Sequence, residues 1–167
     1  MEVRSLVTVE EYLHNTYEPD CDYVDGELVE RNADEKDHSK IQIRFAALLF
    51  NQREKLGIEA FTEQRIQVGP SRFRVPDVCV VVGEEPDEQV FTSPPFLCIE
   101  ILSPEDRAGR MQQRISDYLN FGVRYVWVID PRSRKAFVYG PSGVSEVTDT
   151  LETEGPAIRI RLQDVLQ

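Results

Sequence analysis

Two carboxylate side chains stand in runs of residues that are otherwise apolar. Asp77 lies inside the run at residues 74–82, and Glu100 lies inside the run at residues 96–102. Such runs predict buried strands, where a carboxylate without a partner is costly or has a shifted pKa. Two of them on neighbouring strands would repel each other at neutral pH. A divalent cation between them is the simplest way to keep both ionised, and hard oxygen ligands suit Mg²⁺.

The residues that follow Glu100 form a strand–helix–strand unit. The pattern predicts a helix that begins within residues 103–106 and ends at Gly122, followed by a buried strand over residues 125–129. Two strands joined in this way are expected to be parallel, with a right-handed crossover. The unit would place Glu100 on a central strand, next to a helix that packs on the sheet.

Three arginines of that helix, Arg107, Arg110 and Arg114, fall at i, i+3 and i+7 along one flank of its apolar stripe. Such a flank is either a solvated face or a contact surface for nucleic acid. Arg114 taken alone has three interpretations. It could bind a phosphate or a site carboxylate, it could be solvated, or it could form a salt bridge with Asp117 or a strand carboxylate. The apolar stripe itself comprises Met111, Ile115, Tyr118 and Leu119.

Capping boxes, turn dipeptides and alternating patterns predict the remaining elements. In chain order they are a short helix from Val9 that carries Tyr12 and Leu13 inward, a hairpin around Asp25-Gly26, a loop over residues 31–36, a helix over residues 38–55 that Asp37 caps and Gly57 ends, a strand over residues 61–68, an acidic loop over residues 83–95, a hairpin over residues 136–147, and a short strand or helix over residues 158–166. This order predicts an α/β fold with a mixed central sheet and flanking helices. The length fits a single domain over residues 1–167.

The composition narrows the classes of partner. The formal net charge of −11 argues against general affinity for DNA, because such binding needs Lys and Arg to displace counterions. Arginine outnumbers lysine, and its planar guanidinium suits phosphate binding. Residues 1–5 lack the pattern of a secretion signal, and no apolar run approaches the roughly 18 residues of a membrane span. We therefore expect a cytoplasmic protein without a membrane segment.

The spacing of the acidic residues resembles that of the PD-(D/E)XK nuclease superfamily, in which Pro-Asp on one strand precedes Glu on the next. Here Pro76-Asp77 is followed after 23 residues by Glu100. The surroundings resemble one branch, the Uma-two family of restriction endonucleases, over about residues 9–166. The features that carry this resemblance are the Asp25-Gly26 turn, His38 at a helix start, the run Glu-Ile-Leu-Ser-Pro at residues 100–104, a charged helix with Tyr118, Gly122-Val123, and the run Val-Trp-Val-Ile-Asp-Pro at residues 126–131.

The resemblance implies a restriction-endonuclease-like core, a divalent metal (Mg²⁺ or Mn²⁺) and hydrolysis of phosphodiester bonds in nucleic acid, with DNA as the expected substrate. Asp77 and Glu100 would bind the metal together with the main-chain carbonyl of Ile101, and the metal would lower the pKa of a bound water. Asp22 and His38 match further positions of the family, although Asp22 stands where a glutamate is usual. A homodimer is compatible with this interpretation, because short nucleases of this type cut duplexes as pairs.

The chain departs from the superfamily pattern at the lysine. The third position of the Glu-x-Lys motif is Leu102, and the helix position where this branch usually has a lysine is Arg114. Arginine cannot act as a general base, but it can bind a phosphate and stabilise its charge. The first hypothesis is therefore a metal-dependent endonuclease with Arg114 in place of lysine. The alternatives are a nuclease-like module that has lost catalysis and acts in binding or scaffolding, and a structural subunit whose apolar strands only form core.

Each candidate residue also has a purely structural interpretation. Asp77 and Glu100 could be carboxylates at a solvated edge of the sheet. Asp22 lies before a turn, where aspartate is common for local reasons. His38 is more often a partly buried histidine with a satisfied hydrogen bond. Tyr118 is expected in the core.

Overall fold

The structure is a computed structural model that describes residues 6–31 and 35–167. The amino-terminal segment 1–5 and residues 32–34 of the predicted loop lie outside the described residues. Within them the chain forms, in order, α1 (Val9–His14), β1 (Asp22–Val24), β2 (Glu27–Val29), α2 (Lys36–Leu56), β3 (Ile58–Thr62), β4 (Ile66–Gly69), β5 (Arg72–Arg74), β6 (Val78–Val82), β7 (Leu97–Ile101), α3 (Ala108–Phe121), β8 (Tyr125–Asp130), β9 (Lys135–Gly140), β10 (Gly143–Val147), β11 (Thr150–Glu152), β12 (Arg159–Arg161) and α4 (Leu162–Leu166).

A mixed sheet of six strands forms the centre of the fold. Its strands lie in the order β10-β9-β8-β7-β6-β3. β7 and β8 are parallel and are connected through α3, as predicted, whereas the other neighbouring pairs are antiparallel. Side chains of α2 pack on one face of the sheet and side chains of α3 on the other. The predicted α/β fold with a mixed sheet between helices is therefore confirmed.

Alternation along the central strands supplies apolar side chains to both faces of the sheet. On one face Phe45 of α2 packs near Trp127 of β8, with ring centroids 6.4 Å apart. On the other face Met111 and Ile115 of α3 join the cluster that contains Val126 of β8. A fully buried side chain of this size contributes about 1.5–3 kcal/mol to stability. Both faces are apolar because a central strand covered on both sides has no solvated face.

A second sheet, in the order β2-β1-β5-β4, brings the amino-terminal hairpin to the central elements. The hairpin turns at Asp25 and Gly26, whose φ angles of 49° and 97° are values that an Asp-Gly turn tolerates. This confirms the predicted hairpin. Because β1 pairs with β5, Asp22 at the start of β1 lies within hydrogen-bond distance of Arg74 at the end of β5.

The first helix has the predicted capping box, in which the side chains of Thr8 and Glu11 each accept from the other residue's backbone N–H. Tyr12 is buried as predicted, but Leu13 is 41% exposed and Leu119 of α3 is 39% exposed. The prediction that these two leucines point inward is wrong. Each follows a buried aromatic residue directly, and adjacent residues on a helix point in different directions.

The predicted single strand over residues 61–68 is wrong. β3 ends at Thr62 in the six-stranded sheet, and β4 begins at Ile66 in the second sheet. Between them Glu63 has a φ of 52°, a left-handed conformation that interrupts the extended chain. The alternating pattern of the residues continues across this break, so the pattern alone does not reveal it.

The two long helices begin at residues other than those predicted. α2 begins before the predicted residue 38, and its N-cap residue is Glu35 and not Asp37. α3 begins only at Ala108. The carboxylate of Asp106 accepts a hydrogen bond of 2.7 Å from the N–H of Ser103, which closes a turn before the helix. Both helices end at the predicted glycines, which adopt left-handed conformations.

The carboxyl-terminal part of the chain continues the central sheet and then forms a two-stranded sheet and a helix, whose buried side chains join the main core. β9 and β10 form the predicted hairpin. The segment over residues 158–166 forms both alternatives in turn, first β12 and then α4, and β12 pairs with β11, a strand that was not predicted. None of the described helices is both long and apolar enough to cross a membrane.

Candidate active site

Asp77 and Glu100 lie next to each other at one end of neighbouring strands. β6 and β7 are antiparallel and their paired segment begins with Val78 opposite Ile99, so Asp77 directly precedes that segment and Glu100 directly follows Ile99. The backbone N–H of Ile101 donates to the carboxylate of Asp77, and the hydroxyl of Tyr118 on α3 donates to Glu100. Both carboxylates are buried, so they do not lie at a solvated edge.

The carboxylate of Asp77 receives donors from three directions. Arg31 Nη2 donates to Oδ1 at 2.6 Å, His38 Nε2 lies 3.1 Å from the same oxygen, and the backbone N–H of Ile101 donates to Oδ2 at 2.7 Å. Burial raises the pKa of Asp77, but the hydrogen bond from His38 and the charge of Arg31 outweigh it and hold the pKa below its usual value. Asp77 is therefore ionised.

The negative charge of Glu100 has fewer compensating partners than that of Asp77. Its Oε1 atom accepts a 2.6 Å hydrogen bond from Tyr118 and lies 3.0 Å from Arg114 Nη2. Burial is the largest effect on the pKa of Glu100, and together with the negative charge of Asp77 it raises this pKa to about 8. The positive charge of Arg114 opposes the increase but does not cancel it. Glu100 therefore retains its proton near neutral pH unless another cation approaches it.

Arg114 links Glu100 to the amino-terminal hairpin. Its Nη2 atom donates to the carbonyl of Val75 at 3.1 Å, and its Nε atom lies 3.1 Å from Asp22 Oδ2. Asp22 also accepts from Arg74 Nη1 at 3.0 Å and from the N–H of Val75 at 2.9 Å. Burial lowers the pKa of Arg114, but the surrounding carboxylates outweigh it and raise the pKa above its usual value. The guanidinium is a permanent positive charge next to Glu100.

Arg74 and Asp117 belong to the same network, although sequence reasoning did not select them. Arg74 Nε and Nη2 donate to Asp117 Oδ2 at 2.8 and 2.6 Å, and Arg72 Nη1 donates to Asp117 Oδ1 at 3.0 Å. Asp117 thus pairs with arginines of β5 and not with Arg114. The alternation Arg-Phe-Arg on β5 was the available signal, because it puts two basic side chains on one face of a strand.

His38 lies at the start of α2 and contacts Asp77. Burial lowers its pKa, but the hydrogen bond and the charge of Asp77 outweigh this effect and raise the pKa of His38. Its Nδ1 atom is buried without a hydrogen-bond partner among the described residues. Arg31, the other side chain at Asp77 Oδ1, was also missed, since a single arginine in a polar loop carries no periodic signal.

The three arginines predicted along one flank of α3 do not share one environment. Arg107 and Arg110 are exposed, whereas the side chain of Arg114 is only 13% exposed and faces the carboxylates. Arg107 is also the N-cap residue of α3 and so precedes its first turn. The predicted flank is therefore divided into a solvated part and a buried part.

All five predicted side chains of the site lie in one buried electrostatic network with Arg31, Arg74 and Tyr118, in which the contacts around Asp77 and those around Glu100 form two groups whose charges shift each other's pKa values. The predicted residues are Asp22, His38, Asp77, Glu100 and Arg114. Sequence distances of up to 92 residues, between Asp22 and Arg114, separate the partners. The network draws on both sheets, on α2 and on α3, so its geometry depends on the whole fold.

The donor atoms at the centre of this network suit a hard divalent cation. Two carboxylates lie next to each other, and the main chain of Ile101 lies beside Asp77. The raised pKa of Glu100 indicates that an additional cation would be favourable there. However, Arg31 and His38 already contact Asp77 Oδ1. Within residues 6–31 and 35–167, no three His, Cys, Asp or Glu side chains lie close enough together to hold a metal ion without rearrangement. The chemistry of the donors fits, on the condition that Arg31 leaves Asp77.

Comparison with known proteins places the chain in a family. No functionally curated protein matches the chain. A crystal structure titled as a "putative nuclease belonging to DUF820" from Anabaena variabilis has the same fold, with a TM-score of 0.83 and 24% sequence identity over 96% of this chain and 97% of that one. Residues 9–166 match the model of the Uma2 family, described as "putative restriction endonuclease". As its sequence resemblance predicted, the chain belongs to the Uma2 family of nucleases.

Proposed function

We propose that the protein is a metal-dependent endonuclease that hydrolyses phosphodiester bonds of nucleic acid, with DNA as the substrate. The observation that carries the proposal is that Asp77 and Glu100 are both buried at the same end of neighbouring strands of the central sheet, beside the fixed charge of Arg114. Two neighbouring buried carboxylates are typical of a divalent metal site.

Asp77, Glu100 and the carbonyl of Ile101 would hold Mg²⁺ or Mn²⁺. When bound, the metal supplies a water of lowered pKa and a positive charge near the scissile phosphate. The rest of the chemistry belongs to the chain. Tyr118 orients the Glu100 carboxylate through its 2.6 Å hydrogen bond, and His38 holds Asp77 from the side of α2.

Arg114 takes the role of the family lysine in part. Its guanidinium stays protonated, so it does not remove a proton from water. It is anchored by Asp22 at 3.1 Å and reaches Glu100 at 3.0 Å, and it would therefore present its charge to a phosphate oxygen close to that carboxylate. Removing one such electrostatic donor from an active site typically lowers the catalytic rate by a factor of about 10²–10³.

A cleavage assay on plasmid DNA with Mg²⁺ and with Mn²⁺ tests the proposal. Asp77→Ala and Glu100→Ala should each abolish metal-dependent cleavage. The matched control is Asp164→Ala, because Asp164 is a carboxylate paired with Arg161 at the surface, far along the chain from the site. Undiminished cleavage by both site variants would rule out the assignment of the two carboxylates.

The second candidate is a nuclease-like binding or scaffolding module without catalysis. Leu102 is apolar at the motif position, and Arg114 is already engaged by two carboxylates. Under this hypothesis the wild type does not cleave, and Arg114→Lys creates or raises activity because it restores the family lysine. Robust metal-dependent cleavage by the wild type would eliminate this candidate.

The partners belong to the same proposal. Cleavage of both strands of a duplex needs two sites, and a homodimer is the simplest assembly that provides them. Sedimentation velocity of the purified chain with and without a short DNA duplex measures this directly. A chain that stays monomeric in both conditions would restrict the proposed activity to single-strand cuts.

The expected cytoplasmic location is a separate part of the proposal. Expression of a tagged chain would test it.

A further inference from the structure

Arg31 makes few hydrogen bonds for a buried guanidinium. Its Nη2 atom donates to Asp77 Oδ1 at 2.6 Å, whereas its Nε and Nη1 atoms are buried without a hydrogen-bond partner among the described residues. Arg74, in contrast, donates three hydrogen bonds to two carboxylates. A buried donor without a partner is costly, so the position of Arg31 depends mainly on its attraction to Asp77.

A second carboxylate lies within reach of Arg31. Glu63 Oε1 is 3.7 Å from Arg31 Nη1, and its side chain is 45% exposed. Glu63 occupies the left-handed turn between β3 and β4, outside both strands. A small rotation of the guanidinium would therefore exchange a contact with Asp77 for one with Glu63, without leaving the positive charge unpaired.

Solvent cations can approach Arg31 through an open acidic cleft of about 600 Å³. Arg31 lines this cleft together with four glutamates, namely Glu18, Glu30, Glu35 and Glu105. A cleft with one sign of charge raises the local concentration of ions of the opposite sign. The cleft thus favours cations on the side of Asp77 where the guanidinium stands.

From these observations we propose that Arg31 is an internal cation that competes with the divalent metal for Asp77. With Arg31 on Asp77 Oδ1, the carboxylate is neutralised and a metal ion is excluded. When Arg31 turns toward Glu63, Asp77 keeps its contacts with His38 and the N–H of Ile101 but loses its fixed positive partner, and it can act as a metal ligand beside Glu100. This inference rests on the proposed metal site, and it assigns to Arg31 control over the affinity of that site.

The test is a Mn²⁺ titration by isothermal calorimetry at constant pH, which needs no cleavage. Arg31→Gln should bind Mn²⁺ at least about tenfold more tightly than wild type, because a guanidinium next to the ligand opposes a second cation. Arg31→Met, which keeps most of the apolar stem of the side chain, should show the same gain. In the double variant Arg31→Gln/Asp77→Asn the gain should disappear.

The matched control is Arg65→Gln, which removes another partly buried arginine with a bidentate partner, Asp20, outside the site. It should lower the melting temperature without changing Mn²⁺ affinity. If the Arg31 variants bind no more tightly than wild type while Asp77→Asn abolishes binding, competition by Arg31 is wrong and the metal site stands. If wild type and the Arg31 variants all fail to bind Mn²⁺, both the competition and the proposed metal site are wrong.

Discussion

Arg114 Nε lies 3.1 Å from Asp22 Oδ2, so two of the residues at which the chain departs from the family pattern that it resembles contact each other. Arginine is longer than the usual lysine, and aspartate is shorter than the usual glutamate. The longer cation therefore spans the distance that the shorter anion leaves. The pair acts as one unit that holds a positive charge next to Glu100.

The first prediction concerns this complementarity in length. Arg114→Lys should lower the free energy of unfolding by about 1–3 kcal/mol, because one ammonium group cannot reach Asp22, Glu100 and the Val75 carbonyl together. Adding Asp22→Glu should recover part of the loss, with a coupling energy of about 0.5–3 kcal/mol in a double-mutant cycle measured by urea denaturation. Strictly additive effects would mean that the two residues do not compensate each other.

The second prediction concerns pH. Glu100 has a pKa of about 8 in the folded chain and an ordinary value of 4.5, so the folded state keeps a proton that the unfolded state loses. The free energy of unfolding should therefore fall as the pH rises from about 4.5 to 8. His38 acts in the same direction, since its raised pKa gives stability that is lost as the pH rises through that value. The combined decrease should be on the order of 5 kcal/mol.

Chemical denaturation at several pH values, with a chelator present, measures this slope. Glu100→Gln mimics the neutral acid and should remove most of the decrease between pH 5 and 8. The control His14→Gln changes the exposed histidine of α1 and should leave the slope as in wild type. A wild-type profile that is flat or that rises over this interval would contradict the assignment of a proton to Glu100.

The third prediction concerns the buried position of Asp22. Its carboxylate is 1% exposed, accepts hydrogen bonds from Arg74 and from the N–H of Val75, and lies 3.1 Å from Arg114 Nε. Asp22→Ala should cost about 3–5 kcal/mol, because it leaves buried guanidinium groups without compensation. The surface pair of Asp164 and Arg161 provides the comparison.

For that comparison, Asp164→Ala should cost no more than about 1 kcal/mol, as is usual for exposed ion pairs. Both losses can be measured from the midpoint and slope of urea unfolding curves. Similar losses in the two variants would show that the charges around Asp22 are solvated to the same degree as those at the surface.

The carboxylates of the site could be predicted from the sequence, whereas two of the arginines that contact them could not. Asp77 and Glu100 were detectable because each interrupts an apolar run, and strand alternation then puts a polar side chain into the interior. Arg31 and Arg74 were not detectable in this way. Their partners are 46 and 52 residues away, and an arginine in a loop or on a short strand looks the same whether it is solvated or buried.

The errors in the elements have local causes. The residues 103–106 match the composition of a helix start, but Asp106 uses its carboxylate to close a turn with Ser103. The strand break at Glu63 depends on a left-handed conformation in a residue that rarely adopts one. Neither glycine nor proline marks that position, so only tertiary packing determines it.

The last prediction concerns the hydroxyl of Tyr118, which was expected only to fill the core. It donates a 2.6 Å hydrogen bond to Glu100 Oε1, and this bond lowers the pKa of Glu100 against the larger effect of burial. Tyr118→Phe should therefore destabilise the fold by about 1–2 kcal/mol and raise the pKa of Glu100 further. Mn²⁺ affinity at pH 7 should fall as well, because the metal must displace a more tightly held proton. Tyr139→Phe is the control, since that hydroxyl accepts only an exposed hydrogen bond from Gln112. Equal Mn²⁺ affinity in the two variants would show that the hydroxyl of Tyr118 does not influence metal binding.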